Sequence, residues 1–191
     1  NDELSTVKEI LEDKYSNKYN IEMKVLNAKD YGVPQSRPRA ITIMYKKNKQ
    51  WKWPRKQKEI TLKEAIGHLP SLESGEKSDI KYHNSRKHLD THVLWMKHTP
   101  TGCSEHDNKE FYQVKKDGTK IKGFNATYKR MKWDAPAPAL TMRSDAISSQ
   151  ENVHPGRKLK DGTYSDARVL TLRELFIVES LPEEWDIPSW C

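Results

Sequence analysis

The first part of the chain changes from a helical to a strand-like pattern of apolar residues. Apolar side chains recur at helical spacing in residues 2–15, at Leu4, Val7, Ile10 and Leu11. Apolar and polar positions then alternate over residues 21–25, and the alternation resumes over residues 41–45. The stretch 28–38 between them is rich in residues that break regular structure. The pattern predicts a helix, a strand, an irregular loop and a second strand.

Two later segments carry the same signal for a helix start. Thr61 is followed three residues later by Glu64, and Thr171 by Glu174, which is the capping-box spacing. The first helix should be short and end near Gly67. The second should end before Pro182 and direct four apolar residues toward a core, namely Leu172, Leu175, Phe176 and Val178.

The region between these helices is predicted to be rich in loops. Asp117-Gly118 and Asp161-Gly162 are typical turn pairs, flanked by short strand-like segments. Residues 46–58 are basic and contain two Trp residues, which we interpret as a domain boundary. A solvated run of charge is the open alternative for that segment.

Length and charge narrow the class of protein. A chain of 191 residues holds one ordinary domain, or a small domain and a piece of another. The net charge of +7 and the pI near 9.2 favour a polyanionic partner such as nucleic acid, although solubility alone could explain them.

Cysteine and apolar content favour a cytoplasmic protein. The two cysteines, Cys103 and Cys191, give no basis for a disulfide framework, which favours a reducing compartment. No run of about 18 apolar residues and no N-terminal signal region occur, so membrane insertion and secretion are not indicated. The chain begins with Asn1 and not with Met, which suggests a fragment.

The segment from Asn27 to Arg39 is the strongest candidate for chemistry. It presents one amide and two guanidinium groups, from Gln35, Arg37 and Arg39, on a loop that leads into a strand. Residues two apart in an extended chain point to the same side, so both arginines could grip one phosphate or base carbonyl. The alternative is a purely structural role, in which both arginines lie on the surface and pair with carboxylates.

This segment resembles the Gln-x-Arg-x-Arg motif of bacterial or phage DNA (cytosine-5) methyltransferases, the modification enzymes of restriction-modification systems. Its Asp-Tyr-Gly-Val-Pro lead-in matches as well. The block Trp133 to Arg143 is similar to the family's Trp-Asp-x-Pro-Ala-Pro-Thr segment. A third stretch resembles the closing part of the small domain, at His154-Pro155, Arg168 and Leu170 to Glu174. The three blocks occur in the family's order.

The resemblance also implies which parts are lacking. The family's Phe-x-Gly-x-Gly donor loop, Pro-Cys nucleophile and Glu-Asn-Val motif precede the Gln-x-Arg-x-Arg motif, and none can be placed here. Glu151-Asn152-Val153 spells the catalytic tripeptide but lies far downstream, and Cys103 follows Gly102. The chain also stops before the segment that completes the donor pocket. We therefore expect no S-adenosylmethionine bound to this chain, although the complete enzyme would use it.

The histidines raise a weaker metal hypothesis. His88 and His92 have i, i+4 spacing, and Cys103 lies close to His106. Without a second compact ligand pair, the sequence does not favour zinc, and no metal site is predicted. A polar helix face or a position near phosphate is the preferred interpretation of His88 and His92.

The family resemblance assigns roles to individual residues. Arg39 should hydrogen-bond the flipped cytosine's carbonyl oxygen or lie near the thiolate, while Arg37 and Gln35 order that pocket. DNA contacts are expected from Arg37, Lys129, Arg130 and Arg143. Residues from about 51 to 132 should read base edges in the major groove and contact phosphates.

The expected fold is α/β. Residues 1–47 would be the last part of a mixed catalytic sheet, and residues 48–191 a small, loop-rich α+β target-recognition domain. Duplex DNA and the N-terminal catalytic part are the expected partners, and an incomplete sheet favours self-association. Three functions remain open: a truncated methyltransferase that is inactive alone, a separately encoded recognition subunit, and a non-catalytic DNA-binding module.

Overall fold

A computed structural model describes residues 2–123, 125–141, 143, 146–148 and 150–187, with side chains from Val7 onward. The fold is mixed α/β with one small antiparallel sheet. Cys191 and Trp190, and the side chain of Leu4, lie outside the described residues.

The N-terminal region has the predicted order of elements. Helix α1 spans Asp2–Tyr15, and strand β1 spans Tyr19–Asn27. A 3-10 helix, Ala28–Tyr31, opens the irregular loop, and strand β2 follows at Pro38–Lys46. The strands pair antiparallel, with Tyr19 opposite Lys46 and Asn27 opposite Pro38. The alternation of apolar residues therefore predicted both strands.

Both capping boxes form as predicted. Helix α2 spans Leu62–Ile66, where the Thr61 hydroxyl accepts from the Glu64 N–H and the Glu64 carboxylate accepts from the Thr61 N–H. The same reciprocal pair starts helix α4, Leu172–Val178. In α4 the capping glutamate, Glu174, is itself buried.

The apolar face of α4 differs from the prediction at Leu172 and at Phe176, in whose place Ile177 packs against the core. Val178 is fully buried and Leu175 packs against the core, but Leu172 is 48% exposed. Leu172 is the first residue of the helix, directly after the N-cap, and the capping contacts turn the third residue, Glu174, inward. The prediction that Leu172 faces the core was therefore wrong.

A further helix, α3, spans Asp90–His98. His88 lies before this helix, so only His92 is on it, stacked on Trp95 with ring centroids 5.5 Å apart. Met96 is buried, whereas Leu89 and Leu94 are exposed. His88 and His92 therefore do not share a helix face.

Two hydrophobic clusters form the core, and both lie between residues 62 and 178. The first joins α2 and α4 to the segment 131–140 and contains Leu62, Ile66, Leu69, Met131, Ala137, Leu140, Leu170 and Val178. The second joins α3 to later loops and contains Met96, Tyr128, Ile147, Val153, Ala167 and Val169.

The predicted turns form at both Asp-Gly pairs. Gly118 has φ of 83° and Gly162 has φ of 87°, in the left-handed region that glycine adopts most readily. Isolated bridges flank each turn, between Val114 and Lys120 and between Lys158 and Tyr164.

The basic segment 46–58 packs back against β1 and the loop that follows. The Trp53 indole donates to Glu22 at 2.6 Å, and the Gln57 N–H donates to the Asp30 carbonyl at 2.8 Å. The segment is therefore attached both to β1 and to the 3-10 helix that follows it. The division of the chain at residue 47 remains a prediction. No helix in the described part of the chain is long and apolar enough to cross a membrane.

Candidate nucleic-acid interface

Asn27 shapes the loop that carries Gln35 and the two arginines. Its side-chain Oδ1 accepts from the backbone N–H of Lys29 at 3.4 Å and from the backbone N–H of Arg37 at 2.8 Å. Its amide nitrogen donates to the Ser36 hydroxyl at 3.2 Å. Gly32, at φ 82°, allows the chain to reverse after the 3-10 helix. One side chain thus holds both ends of the loop.

The same loop is docked on a segment about one hundred residues later. The Ser36 N–H donates to the Ala137 carbonyl at 2.8 Å, and the Ala137 N–H donates to the Pro34 carbonyl at 2.9 Å. Gln35 forms a parallel bridge with Ala137. Backbone hydrogen bonds therefore join the first motif block directly to the second.

Gln35 connects this loop to the end of α4. The Gln35 side chain is buried, and its amide nitrogen donates to a carboxylate oxygen of Glu179 at 2.8 Å. Its carbonyl oxygen is buried without a hydrogen-bond partner among the described residues. Gln35 therefore acts here as a link between two parts of the chain.

The two arginines have different surroundings. Arg37 is half-buried and donates to the Leu140 carbonyl at 2.7 Å, which ties it to the second block. Arg39 is exposed on β2, opposite Leu26, and donates to the Pro38 carbonyl at 2.7 Å. Of the two guanidinium groups, that of Arg39 is the more accessible to a ligand.

The three other residues predicted to contact DNA also differ. Arg143 is exposed. Lys129 is half-buried and forms an ion pair with Glu151 at 2.8 Å. That contact gives the first residue of the Glu151-Asn152-Val153 tripeptide a partner, and the other two residues are buried.

Arg130 is fully buried, which corrects the prediction that it contacts DNA. Its guanidinium donates to the carbonyls of Met96 and His154, at 2.9 and 2.7 Å. Burial lowers the pKa of Arg130 to about 10, which leaves the group charged at neutral pH. Backbone carbonyls therefore occupy the donors that a phosphate would need.

The third block forms a buried cluster of charges. Both terminal nitrogens of Arg168 donate to Glu174, at 2.7 and 3.0 Å, and one also donates to Asp166 at 2.9 Å. Burial opposes the ionisation of Glu174, but the hydrogen bond and charge of Arg168 and the Thr171 N–H are among the contacts that together outweigh it, so the pKa of the carboxyl is lowered. Burial likewise opposes the ionisation of Asp166, and hydrogen bonds from Ser165 and Ser71 and the charge of Arg168 lower the pKa of that carboxyl.

His154 completes this cluster as a neutral ring. Burial lowers its pKa to about 3, so the ring is uncharged at neutral pH. Its Nδ1 accepts from the Gly156 N–H at 3.1 Å, and its Nε2 lies 3.6 Å from Glu174. The His-Pro element of the third block therefore has a structural role, because its histidine ring is buried in contact with Gly156 and Glu174.

The geometry offers no support for metal binding at the histidines. Within the described ranges, no three or more His, Cys, Asp and Glu side chains are grouped so that they could hold a metal ion. Cys103 is a free, half-buried thiol.

Comparison with known families decides the classification. A family model described as C-5 cytosine-specific DNA methylase matches residues 1–190. The chain belongs to this family.

Two curated methylases show how much of a family member is present. The chain is 50% identical over 186 residues to the Type II methyltransferase M1.HgaI of Avibacterium volantium, which covers 97% of the chain and 52% of that protein. It is 30% identical over 169 residues to the Type II methyltransferase M1.HphI of Haemophilus parahaemolyticus, covering 87% of the chain and 40% of that protein. The chain thus spans about half the length of these methylases or less.

A solved structure shares the fold. A chain described as a DNA modification methyltransferase encoded within a prophage of E. coli superposes with a TM-score of 0.60 at 16% identity. The match covers 96% of this methylase chain and 56% of the other. At this identity the similarity concerns the fold alone.

The sequence of this family member does not contain the donor loop or the nucleophile in the form that the resemblance implies. No Phe-x-Gly-x-Gly sequence occurs among the 191 residues, and neither cysteine follows a proline. The two sequence patterns that the resemblance implies for the methyl donor and the nucleophile are therefore not found in these 191 residues.

Sequence reasoning missed several residues that organise this methylase site. Asn27, Asp166 and Glu179 are partners of the motif residues but lie between or beside the motifs. For Asn27 a signal existed, because asparagine directly before an irregular loop is typical of local side-chain caps. For Glu179 no local pattern indicates the partner, because its contact with Gln35 spans a long sequence distance. Asp166 lies only two residues from Arg168, but its burial depends on distant residues such as Leu72.

Proposed function

We propose that this chain is the DNA-recognition and base-pocket part of a DNA (cytosine-5) methyltransferase, from the C-terminal half of the complete enzyme. The observation that supports this most is the docking of Pro34–Ser36 on Ala137. This contact brings together the two ends of the long region that the family resemblance assigns to target recognition. A region closed at its base in this way could present its loops to DNA as one body.

The roles of individual residues follow from exposure. Arg39 has an exposed guanidinium at the start of β2 and would serve the flipped cytosine. Arg37 and Gln35, held by Leu140 and Glu179, would fix the loop on which Arg39 depends. Arg143 is exposed and Lys129 is half-buried, and both would contact the DNA backbone.

The complete enzyme would include an N-terminal catalytic part that supplies the nucleophile and binds S-adenosylmethionine. Residues 1–47 would complete its sheet, and residues 48–191 would form the recognition domain. Apolar residues on the two-stranded sheet support such a partner, since Val25 is 60%, Ile41 38% and Met44 39% exposed. Val25 and Met44 lie on one face of the sheet and Ile41 on the other, and these exposed residues would promote self-association of the isolated chain.

The first experiment uses the isolated chain. Electrophoretic or anisotropy titration with duplex DNA at two salt concentrations should show weak binding that falls steeply with salt, because basic residues displace counterions. The chain alone should transfer no methyl group from S-adenosylmethionine. Binding that is insensitive to salt, or clear turnover, would contradict the proposal.

The second experiment tests Arg39 in the complete enzyme. Arg39→Ala should slow single-turnover methylation roughly ten- to hundredfold, since a charged hydrogen bond in a closed site is lost. Non-specific DNA affinity should hardly change. Lys47→Ala, at an exposed basic residue just after β2 and outside the region expected to read DNA, is the control and should leave methylation unaffected. Unchanged chemistry with weaker, less salt-dependent binding would instead place Arg39 on the DNA backbone.

A further inference from the structure

A cleft lies between α2 and the segment 156–164, apart from the Gln-x-Arg-x-Arg loop. Its volume is about 490 Å³, and its lining includes Lys63, Thr101, Trp133, Arg157, Lys158 and Tyr164. Small-molecule sites typically measure about 300–1,000 Å³. Gln35, Arg37 and Arg39 are not among the lining residues, so the roles proposed above do not account for this cleft.

The charge of the cleft is positive. Three lining residues are basic, namely Lys63, Arg157 and Lys158, and none is acidic. The carboxylate of Asp166 lies behind Arg157, 3.4 Å from its guanidinium, and offsets part of that charge. The ammonium groups of the exposed residues Lys63 and Lys158 remain to attract an anion.

The aromatic wall is held in place before any ligand binds. The Trp133 indole donates to the Gly156 carbonyl at 2.6 Å, and the Arg157 guanidinium lies 5.3 Å from the Trp133 ring centroid. Arg157 also donates to the Gly67 carbonyl at 3.2 Å. The backbone N–H of Tyr164 donates to the Lys97 carbonyl at 2.9 Å, which anchors the opposite strand segment. A flat ring could bind there with little reorganisation.

We propose that this cleft binds a single nucleotide, with its phosphate near Lys63, Arg157 and Lys158 and its base against Trp133 and Tyr164. The chemistry recognised is a phosphate joined to a planar base. Two sources supply it: a free nucleoside monophosphate, or an unpaired nucleotide of a DNA strand. The proposal does not require methyl transfer, because binding is measured on this chain.

The first test compares three probes by calorimetry at low salt. 5′-Deoxycytidine monophosphate should bind at least about tenfold more tightly than deoxycytidine or inorganic phosphate. Only the nucleotide contacts both the basic and the aromatic residues of the cleft. Added salt should weaken the binding of the nucleotide and of inorganic phosphate, but not the binding of the nucleoside. Equal affinity for the nucleotide and inorganic phosphate, or no nucleotide binding, would overturn the proposal.

Matched variants locate the site. Lys158→Gln should weaken nucleotide binding about fivefold, the size expected for one exposed charge contact, whereas Lys160→Gln on the same segment but outside the lining should not. Tyr164→Leu should weaken the binding of the nucleotide but not the binding of inorganic phosphate. Thermal unfolding would verify that this variant is folded. Equal effects of the two lysine variants would contradict the assignment.

Two short duplexes distinguish the sources. One has blunt ends, and the other ends in an unpaired, 5′-phosphorylated nucleotide. Tighter binding of the second, lost in Lys158→Gln, would assign the cleft to a DNA nucleotide. Equal binding of both, with the monophosphate still bound, would assign it to a free nucleotide. If both duplexes bind but deoxycytidine monophosphate does not bind, the cleft proposal is refuted and the proposed function still stands.

Discussion

Arg168 and Glu174 form a bidentate ion pair in the interior, with nitrogen to oxygen distances of 2.7 and 3.0 Å and both side chains buried. Glu174 also caps α4 through the Thr171 N–H at 2.7 Å. One carboxylate therefore fixes the start of a helix and compensates a buried charge. This arrangement makes the third motif block a structural element of the domain.

Removing one member of this pair should destabilise the chain strongly. Arg168→Met should lower the free energy of unfolding by about 3–5 kcal/mol, because Glu174 and Asp166 would remain buried without their cation. Urea unfolding followed by circular dichroism measures the change. Lys160→Met, at an exposed position, is the control and should cost little. A loss below about 1 kcal/mol would show that the pair is solvated in solution.

The neutral state of His154 predicts a stability that depends on pH. Its pKa is about 3 in the folded chain and about 6.5 when unfolded, so the unfolded state binds more protons between these values. Stability should be complete above about pH 6.5 and decrease as the pH falls, by about 2 kcal/mol between pH 6.5 and 5.

Urea unfolding at pH 7, 6 and 5 would measure this slope. His154→Asn retains an acceptor for the Gly156 N–H and should reduce the slope. His68→Asn, at an exposed histidine, should retain it. An unchanged slope in His154→Asn would assign the pH dependence to other groups.

The link between Gln35 and Glu179 can be tested with charge. Gln35→Glu places two carboxylates within hydrogen-bonding distance and should destabilise the chain at neutral pH by about 1–3 kcal/mol, the cost of an unsatisfied buried group. Adding Glu179→Gln should restore most of this loss, because the amide can donate to the new carboxylate. Failure of the second substitution to rescue would show that the 2.8 Å contact does not persist in solution.

The buried and exposed arginines should separate stability from DNA binding. Arg130→Met should destabilise the fold, because four carbonyls each lose one donor, namely those of Met96, His154, Tyr164 and Asp166. Arg143→Ala should leave the unfolding midpoint within experimental error and reduce the salt dependence of DNA binding by about one phosphate contact. Anisotropy titrations at several salt concentrations, paired with thermal unfolding, provide both readouts. Normal stability of Arg130→Met would contradict its structural role.

The candidate site was only partly predictable from sequence. The two-residue spacing of Arg37 and Arg39 would allow them to share a ligand, and the structure gives their guanidiniums separate carbonyl partners, those of Leu140 and Pro38. The basic character of Arg130 suggested DNA contact, but its position between buried carbonyls reverses that interpretation. Charge type is visible in sequence, whereas the surroundings of a charge are not.

The sequence by itself determined the elements whose causes are local. The capping boxes at Thr61 and Thr171 depend on a partner three residues away, the two Asp-Gly turns on the backbone freedom of glycine, and the strands on alternating apolar residues. The tertiary structure alone decided that Gln35 meets Glu179, and that Arg168, Asp166 and Glu174, although close in sequence, are buried together. A buried charge is stable only when all its partners converge at once, and that convergence depends on the packing of distant segments, which no local pattern encodes.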